Sequence, residues 1–354
     1  MGETAVKNRM IHFDLLRILA CFSVVVLHCG GVFWYDWPVD SNVWLAANSY
    51  DALFRFGVPI FVMISGALFL APDKTLDWKR LYRHNILKLL ILFALWSSVY
   101  GLLDIYKMSA FGKLSTKQMI LELLYGRYHL WFLPMLVGIY MLLPVLKIWI
   151  GHADKRNLQY FLLLFLVMQI LRSTVSALFP ARGEVAYLMS IVNVDLACGY
   201  VGYFVLGYYI AHIGIEPGKR KWIYVGGVFG EIMDLVLSNL LSRKMGEPCP
   251  DIYDSYSLFT FLAATALFVF FTDRVAKHPF RERTGRIIRE VSASTLGIYV
   301  MHVGALELAQ PLLFRILPDR MIIGMPLLAF VCFGVCLAVT LVLRKIPVLG
   351  KYLV

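Results

Sequence analysis

The sequence predicts an all-α fold: a polytopic membrane helical bundle of about ten transmembrane helices, with N- and C-termini both on the cytoplasmic side. Composition is the first reason. Hydrophobic residues fill 60% of the 354 positions and charged residues only 16%, with a mean hydropathy of +0.71, whereas a soluble domain carries about 25% charged residues. Apolar runs recur at the length that crosses a bilayer core, roughly 20 residues. They lie at about 13–33, 51–71, 86–106, 129–150, 159–179, 196–214, 222–242, 256–272, 291–313 and 322–343.

The basic residues supply the orientation. Counted with the N-terminus inside, the inward segments hold 21 lysines and arginines and the outward loops nine, the asymmetry of the positive-inside rule. The net charge of +11 is therefore a topology signal, and nothing in it calls for nucleic acid. The first apolar run is expected to be a retained span, since it contains Arg17 and His28 and is followed by no small-residue cleavage site. Residues 1–354 are expected to form one integral membrane domain with no separate soluble domain. Of the six cysteines, five fall in predicted spans and Cys249 in an outward loop, with no metal-ligand spacing to histidines, so neither a disulfide framework nor a metal site is expected.

In the first span, FDLLRILACFSVVVLHCGG (13–31), Arg17 and His28 stand eleven residues apart. Eleven residues are close to three helical turns, so both side chains project from one face, about 16 Å apart along the axis. Ionisable groups at membrane depth are costly and are kept for function. A cation near one interface and an acid/base group deeper on the same face suit a charged substrate arriving from one side.

The second span combines Arg55, Pro59 and the small pair Ser65-Gly66, read either as a kinked packing helix or as the wall of a cavity. The inward segment 73–88 follows, with Lys79, Arg80 and Arg83 in one turn. Such a turn grips phosphate oxygens, although acidic headgroups or topology alone would account for it equally well. The fourth span opens with His129 and Trp131 and is punctuated by Pro134 and Pro144; Arg172 lies in the fifth, and Glu231 and Asp234 share a face of the seventh. The ninth places His302 near mid-membrane and Glu307 farther out. His302 is either a core histidine bonded to a carbonyl or a catalytic one. Internal ion pairing is the expectation for Arg172, Glu231 and Asp234.

In their shared order these segments resemble the membrane-bound acyltransferase 3 family, most closely its short single-domain O-acetyltransferases such as the one acting on enterobacterial common antigen. The likeness rests on Arg17 and His28 in the first helix, VPIFVMISGALF (58–69), the pair Arg80 and Arg83, HLWFLPMLVGIYMLLP (129–144), YFVLGYYI (203–210) and LGIYVMH (296–302). The resemblance implies an O-acyltransferase of the inner (plasma) membrane. Its donor would be cytoplasmic acyl-CoA, above all acetyl-CoA, and its acceptor a hydroxyl of an extracytoplasmic or lipid-linked glycan. The family's site residues carry over to His28 and Arg17 for catalysis and to Arg80 and Arg83, with neighbouring Lys79, for the CoA phosphates. The longer members carry an appended esterase-like domain that this sequence lacks, so transfer is expected to finish within the membrane. Membrane lipids are the remaining partner. The rival classes are a transporter or lipid flippase, weakened by the lack of an inverted internal repeat, and a membrane receptor.

The orientation is directly testable. Single cysteines placed at 73–84 should be protected from impermeant reagents outside intact cells, and those at 34–48 should react. Labelling of 73–84 from outside would overturn the topology.

Overall fold

The computed structural model describes residues 10–34, 36–109, 115–179, 199–316, 320–346 and 350. Lys7, Arg9, Lys113, Arg182, Cys198, Lys351 and the first three residues of the predicted sixth span, 196–198, lie outside the described residues. Among the described residues there is no strand, and nine helices are long and apolar enough to cross a membrane. They match nine of the ten predicted spans. The sixth is represented by a helix over Tyr200–Tyr208 that continues as a π-helical turn over Tyr209–Ile213.

The chain begins with α1 (Ile11–Trp34). Next come α2 (Asn42–Leu53) and α3 (Gly57–Phe69), which together make one span interrupted at 54–56. The span opens nine residues before the predicted boundary. Ser41 is the reason: its hydroxyl accepts from the Trp44 amide at 3.1 Å and caps the helix. Pro59 lies in the first turn of α3, where a missing N–H costs nothing, so it starts a helix and does not kink one.

Beyond α3 come α4 (Trp78–Ser109), the short α5 (Thr116–Tyr125), α6 (Tyr128–His152) and α7 (Lys155–Leu178). Asp77 caps α4 by accepting from the Arg80 amide at 3.0 Å, and Ser115 and Gln118 close a capping box on α5. Then follow α8 (Tyr200–Tyr208), α9 (Pro217–Met245), α10 (Leu258–Asp273), the amphipathic α11 (Glu282–Ala293), α12 (Thr295–Ile316) and α13 (Met321–Leu343). Cys21, Cys29, Cys249, Cys332 and Cys336 are free and buried.

Two features position the site. First, α1 is the hub: it packs against α2, α3, α10, α11, α12 and α13, and its apolar window is 61% buried, more than that of any other candidate span. Second, α3 and α8 approach to backbone contact. A Cβ on Gly66 would strike the Phe204 backbone, and one on Gly207 would strike the Met63 backbone, so the small residue of each helix fits against the other. The exposed C-terminal carbonyls of α3 are held as well. Lys147 donates to Ala71 O at 2.9 Å, and His212 Nε2 lies 2.8 Å from Ala67 O.

The crossing is testable by overpacking. Gly66→Val and Gly207→Val should each lower the thermal stability of purified protein, by about 1–3 kcal/mol or more. Gly138→Val, at a helical glycine with no heavy atom near its Cβ position, should leave stability nearly unchanged.

Candidate active site

One stripe of α1 carries the polar residues. At its start Asp14, 3% exposed, accepts from Ser292 Oγ at 2.7 Å. Arg17 reaches Ser292 Oγ at 3.4 Å and lies 3.7 Å from the Asp14 carboxylate. Ser292 belongs to the last turn of α11, so this contact ties the guanidinium to a second helix. Tyr140 of α6 is within electrostatic range of Arg17.

Three turns farther along α1, His28 meets two other histidines. Its ring centroid is 5.1 Å from that of His302 and 6.4 Å from that of His129, and the latter two are 5.2 Å apart. The Tyr128 ring stands 5.4 Å from His28, edge to face. Four segments of chain meet here: α1, the 3₁₀ turn Tyr128–Trp131 that opens α6, the middle of α12, and Tyr100 of α4. Tyr100 donates to Val300 O at 2.9 Å and accepts from the Gly304 amide at 3.2 Å.

Hydrogen bonding fixes the tautomers of the two buried imidazoles. His302 Nδ1 lies 2.5 Å from Tyr299 O; a carbonyl can only accept, so Nδ1 carries the proton. The neutral ring then presents a lone pair on Nε2, which is buried and has no hydrogen-bond partner. His129 points Nε2 at Val300 O, 3.5 Å away, and leaves Nδ1 buried and unpartnered. The Tyr299 hydroxyl donates to the His129 carbonyl and steadies that turn. His28 is half-buried and makes no hydrogen bond among the described residues. Three rings are thus gathered with acceptor atoms unspent, inside a low-dielectric bundle where an unpaired polar atom is costly. Among the described residues no three His, Cys, Asp or Glu side chains are arranged to hold a metal ion.

Charged residues surround the cluster. At one end Arg127 bridges Asp104 of α4 and Glu307 of α12, and Lys107 donates to the same Glu307 at 2.9 Å. Burial works against the Arg127 charge, but the hydrogen bonds it donates to the two carboxylates outweigh this and raise its pKa above the ordinary value. Arg55, at the break between α2 and α3, pairs with Asp51, whose residue is 2% exposed, and lies within electrostatic range of His28.

The expected ion pairing of Glu231 and Asp234 is not found among the described residues. Asp234 Oδ2 accepts from Thr260 Oγ1 at 3.1 Å, while Asp234 Oδ1 and Glu231 Oε2 are buried without partners. Both lie on α9, which packs against α2 and α10; Arg55 is within electrostatic range of Asp234. Arg172 is half-buried just beyond the π-helical turn Leu166–Leu171 of α7.

Lys79, Arg80 and Arg83 are exposed on the first turns of α4, at the junction with the π-helical turn Leu81–Ile86, and no carboxylate among the described residues pairs with them. Buried Leu81 anchors that turn while the cations face outward. No hydrogen bond or ion pair links them to Arg17 or His28. Of the residues singled out in the sequence, the fold therefore unites His28 with His129 and His302 and keeps the Lys79–Arg83 cluster apart. The meeting of the three histidines had no signal in any single segment.

An all-α bundle whose described residues include nine helices long and apolar enough to cross a membrane defines a polytopic membrane protein. The family model described as an acyltransferase domain, Acyl_transf_3, matches residues 10–345; the chain belongs to this family and is a multi-pass membrane acyltransferase. Neither the curated proteins nor the solved structures contain a match.

Removing Arg55 should expose the cost of the Asp51 charge. Arg55→Ala should destabilise the fold by about 3–5 kcal/mol, the penalty of a buried carboxylate left without its partner. Asp51→Asn in the same background should recover most of that loss in a thermal melt.

Proposed function

We propose that this acyltransferase carries an acyl group, acetyl above all, from cytoplasmic acyl-CoA to a hydroxyl of an extracytoplasmic or lipid-linked glycan. In this reading it works at the inner (plasma) membrane in the manner of the short single-domain O-acetyltransferases. The observation that carries the reading is His28: half-buried, without a hydrogen-bond partner, and set among two imidazoles whose unspent nitrogens also await one. Arg17 shares its helix face three turns away.

The chemistry balances with these groups alone. The acceptor O–H proton passes to the His28 ring, the oxygen attacks the thioester carbonyl, and the C–S bond breaks as the tetrahedral intermediate collapses. The CoA thiolate then takes the proton from the imidazolium, leaving ester and free thiol. His302 Nε2 and His129 Nδ1 are acceptors for a second hydroxyl of the glycan and would hold it in line. Exposed and unpaired with carboxylates, Lys79, Arg80 and Arg83 suit the CoA phosphates. Arg17 would guide the thioester arm inward, so that only the acyl group crosses.

Surface glycans from cells carrying the wild-type or variant gene, analysed by mass spectrometry alongside acetyl-CoA kinetics of the purified protein, test this. His28→Ala should cut transfer by about 10²–10⁴-fold while acetyl-CoA still binds. Arg80→Ala combined with Arg83→Ala should raise the donor KM with kcat nearly unchanged, and the defect should shrink for a dephosphorylated donor. Full turnover by correctly inserted His28→Ala protein would remove His28 from the mechanism.

A further inference from the structure

On the side of α1 away from the histidines lies a groove of about 760 Å³, within the range of about 300–1,000 Å³ typical of ligand sites. Its floor is a second stripe of α1, Leu15, Ile18, Leu19 and Phe22, spaced as one helical face. Phenylalanines of α10 and α13 form the walls, and of these Phe330 is 64% exposed. The lining is apolar everywhere except at one mouth, where Arg274 and His278 stand.

That mouth carries excess positive charge. Asp273 is the carboxylate beside it, and it already binds Arg220 and, at 2.7 Å, Lys277. Arg274 reaches it only through Nε, at 3.4 Å, with its side chain 69% exposed. Three cations thus share one carboxylate; α11, next in the chain, carries Arg283, Arg286 and Arg289 against Glu282 and Glu290, with Arg286 paired to Glu282. An apolar trough closed at one end by surplus cations matches a molecule with a long hydrocarbon tail and an anionic head.

We propose that this groove is a binding site for an anionic phospholipid, one acyl chain lying along α1 between α10 and α13 and the phosphate resting on Arg274 and His278. A hydrocarbon chain satisfies the aromatic walls, which no helix among the described residues covers. The phosphate supplies the negative charge that Asp273 alone does not. Because the floor is the back of the helix that carries Arg17 and His28, a bound lipid braces that helix from behind. The proposal concerns binding and is independent of which acyl group or acceptor the enzyme uses.

Native mass spectrometry of the full-length protein in detergent, titrated with phosphatidylglycerol or with phosphatidylcholine of the same chains, reads the site directly. Wild-type protein should retain phosphatidylglycerol roughly tenfold more tightly, and soluble glycerol 3-phosphate should not compete, since the tail supplies much of the affinity. Arg274→Gln combined with His278→Gln should bring the two lipids to equal retention. Leu19→Trp, which fills the floor, should abolish the tight stoichiometric adduct. Equal retention of both lipids by the wild-type protein would overturn the proposal without any variant having to fold, as would a phosphatidylglycerol preference that survives both substitutions.

Discussion

Polar side chains placed within an apolar bundle must find partners there or be enclosed for a purpose, because the bilayer offers no water to satisfy them. In this protein that constraint falls on α1. Asp14, Arg17 and His28 project from one helix, and the fold answers by surrounding α1 with six others. Asp14 and Arg17 both reach Ser292 and lie against each other. His28 makes no hydrogen bond among the described residues, and the helices around it are arranged so that two more imidazoles stand beside it, each with one nitrogen occupied by a carbonyl and the other unspent. Buried polar atoms without partners also occur on Ser97, Glu231 and Asp234, but at His28 three imidazoles come together.

The close crossing of α3 and α8 is what makes so tight an enclosure possible. Gly66 and Gly207 let the two backbones touch, which draws the bundle in around α1. Three π-helical turns, at Leu81–Ile86, Leu166–Leu171 and Tyr209–Ile213, shift helix register by a fraction of a turn where a regular α-helix would carry its side chains to other faces. One of them directly follows the cationic turn at Lys79–Arg80. Another continues α8 and brings His212 onto the end of α3.

Much of this was legible in the sequence. Run length and hydropathy report each helix separately, so the bundle and nearly every span could be read from them. The Arg17–His28 face followed from helical periodicity alone, and the Ser65-Gly66 pair announced a close approach without naming its partner. What stayed hidden was everything that depends on which helices are neighbours. His129 read only as the start of a span, and His302 stayed open between a core and a catalytic role, because neither segment shows that α6 and α12 meet α1. Pro59 read as a kink because its place in the first turn of α3 depends on where Ser41 starts the preceding helix and where the chain breaks. The early start of α2 also buries Trp44 and Asn48, leaving only 36–41 of the connection after α1 as loop. The sequence could not assign partners to Glu231 and Asp234; the fold gives Asp234 the Thr260 hydroxyl, with Arg55 acting on it from farther off.

The two ends of the site are sealed by different forces. The Arg127 clamp, with Asp104, Glu307 and Lys107, joins α4 and α12 to the connection before α6 through charges that are partly exposed. Such bonds weaken as mobile ions accumulate. The opposite half of α1 adds to the Asp14–Arg17–Ser292 contacts a packing of apolar and aromatic side chains, which mobile ions do not screen. Rising ionic strength would thus loosen the clamp beside the imidazoles first, so the mobility of the bundle is graded along α1 and set in part by the salt around it.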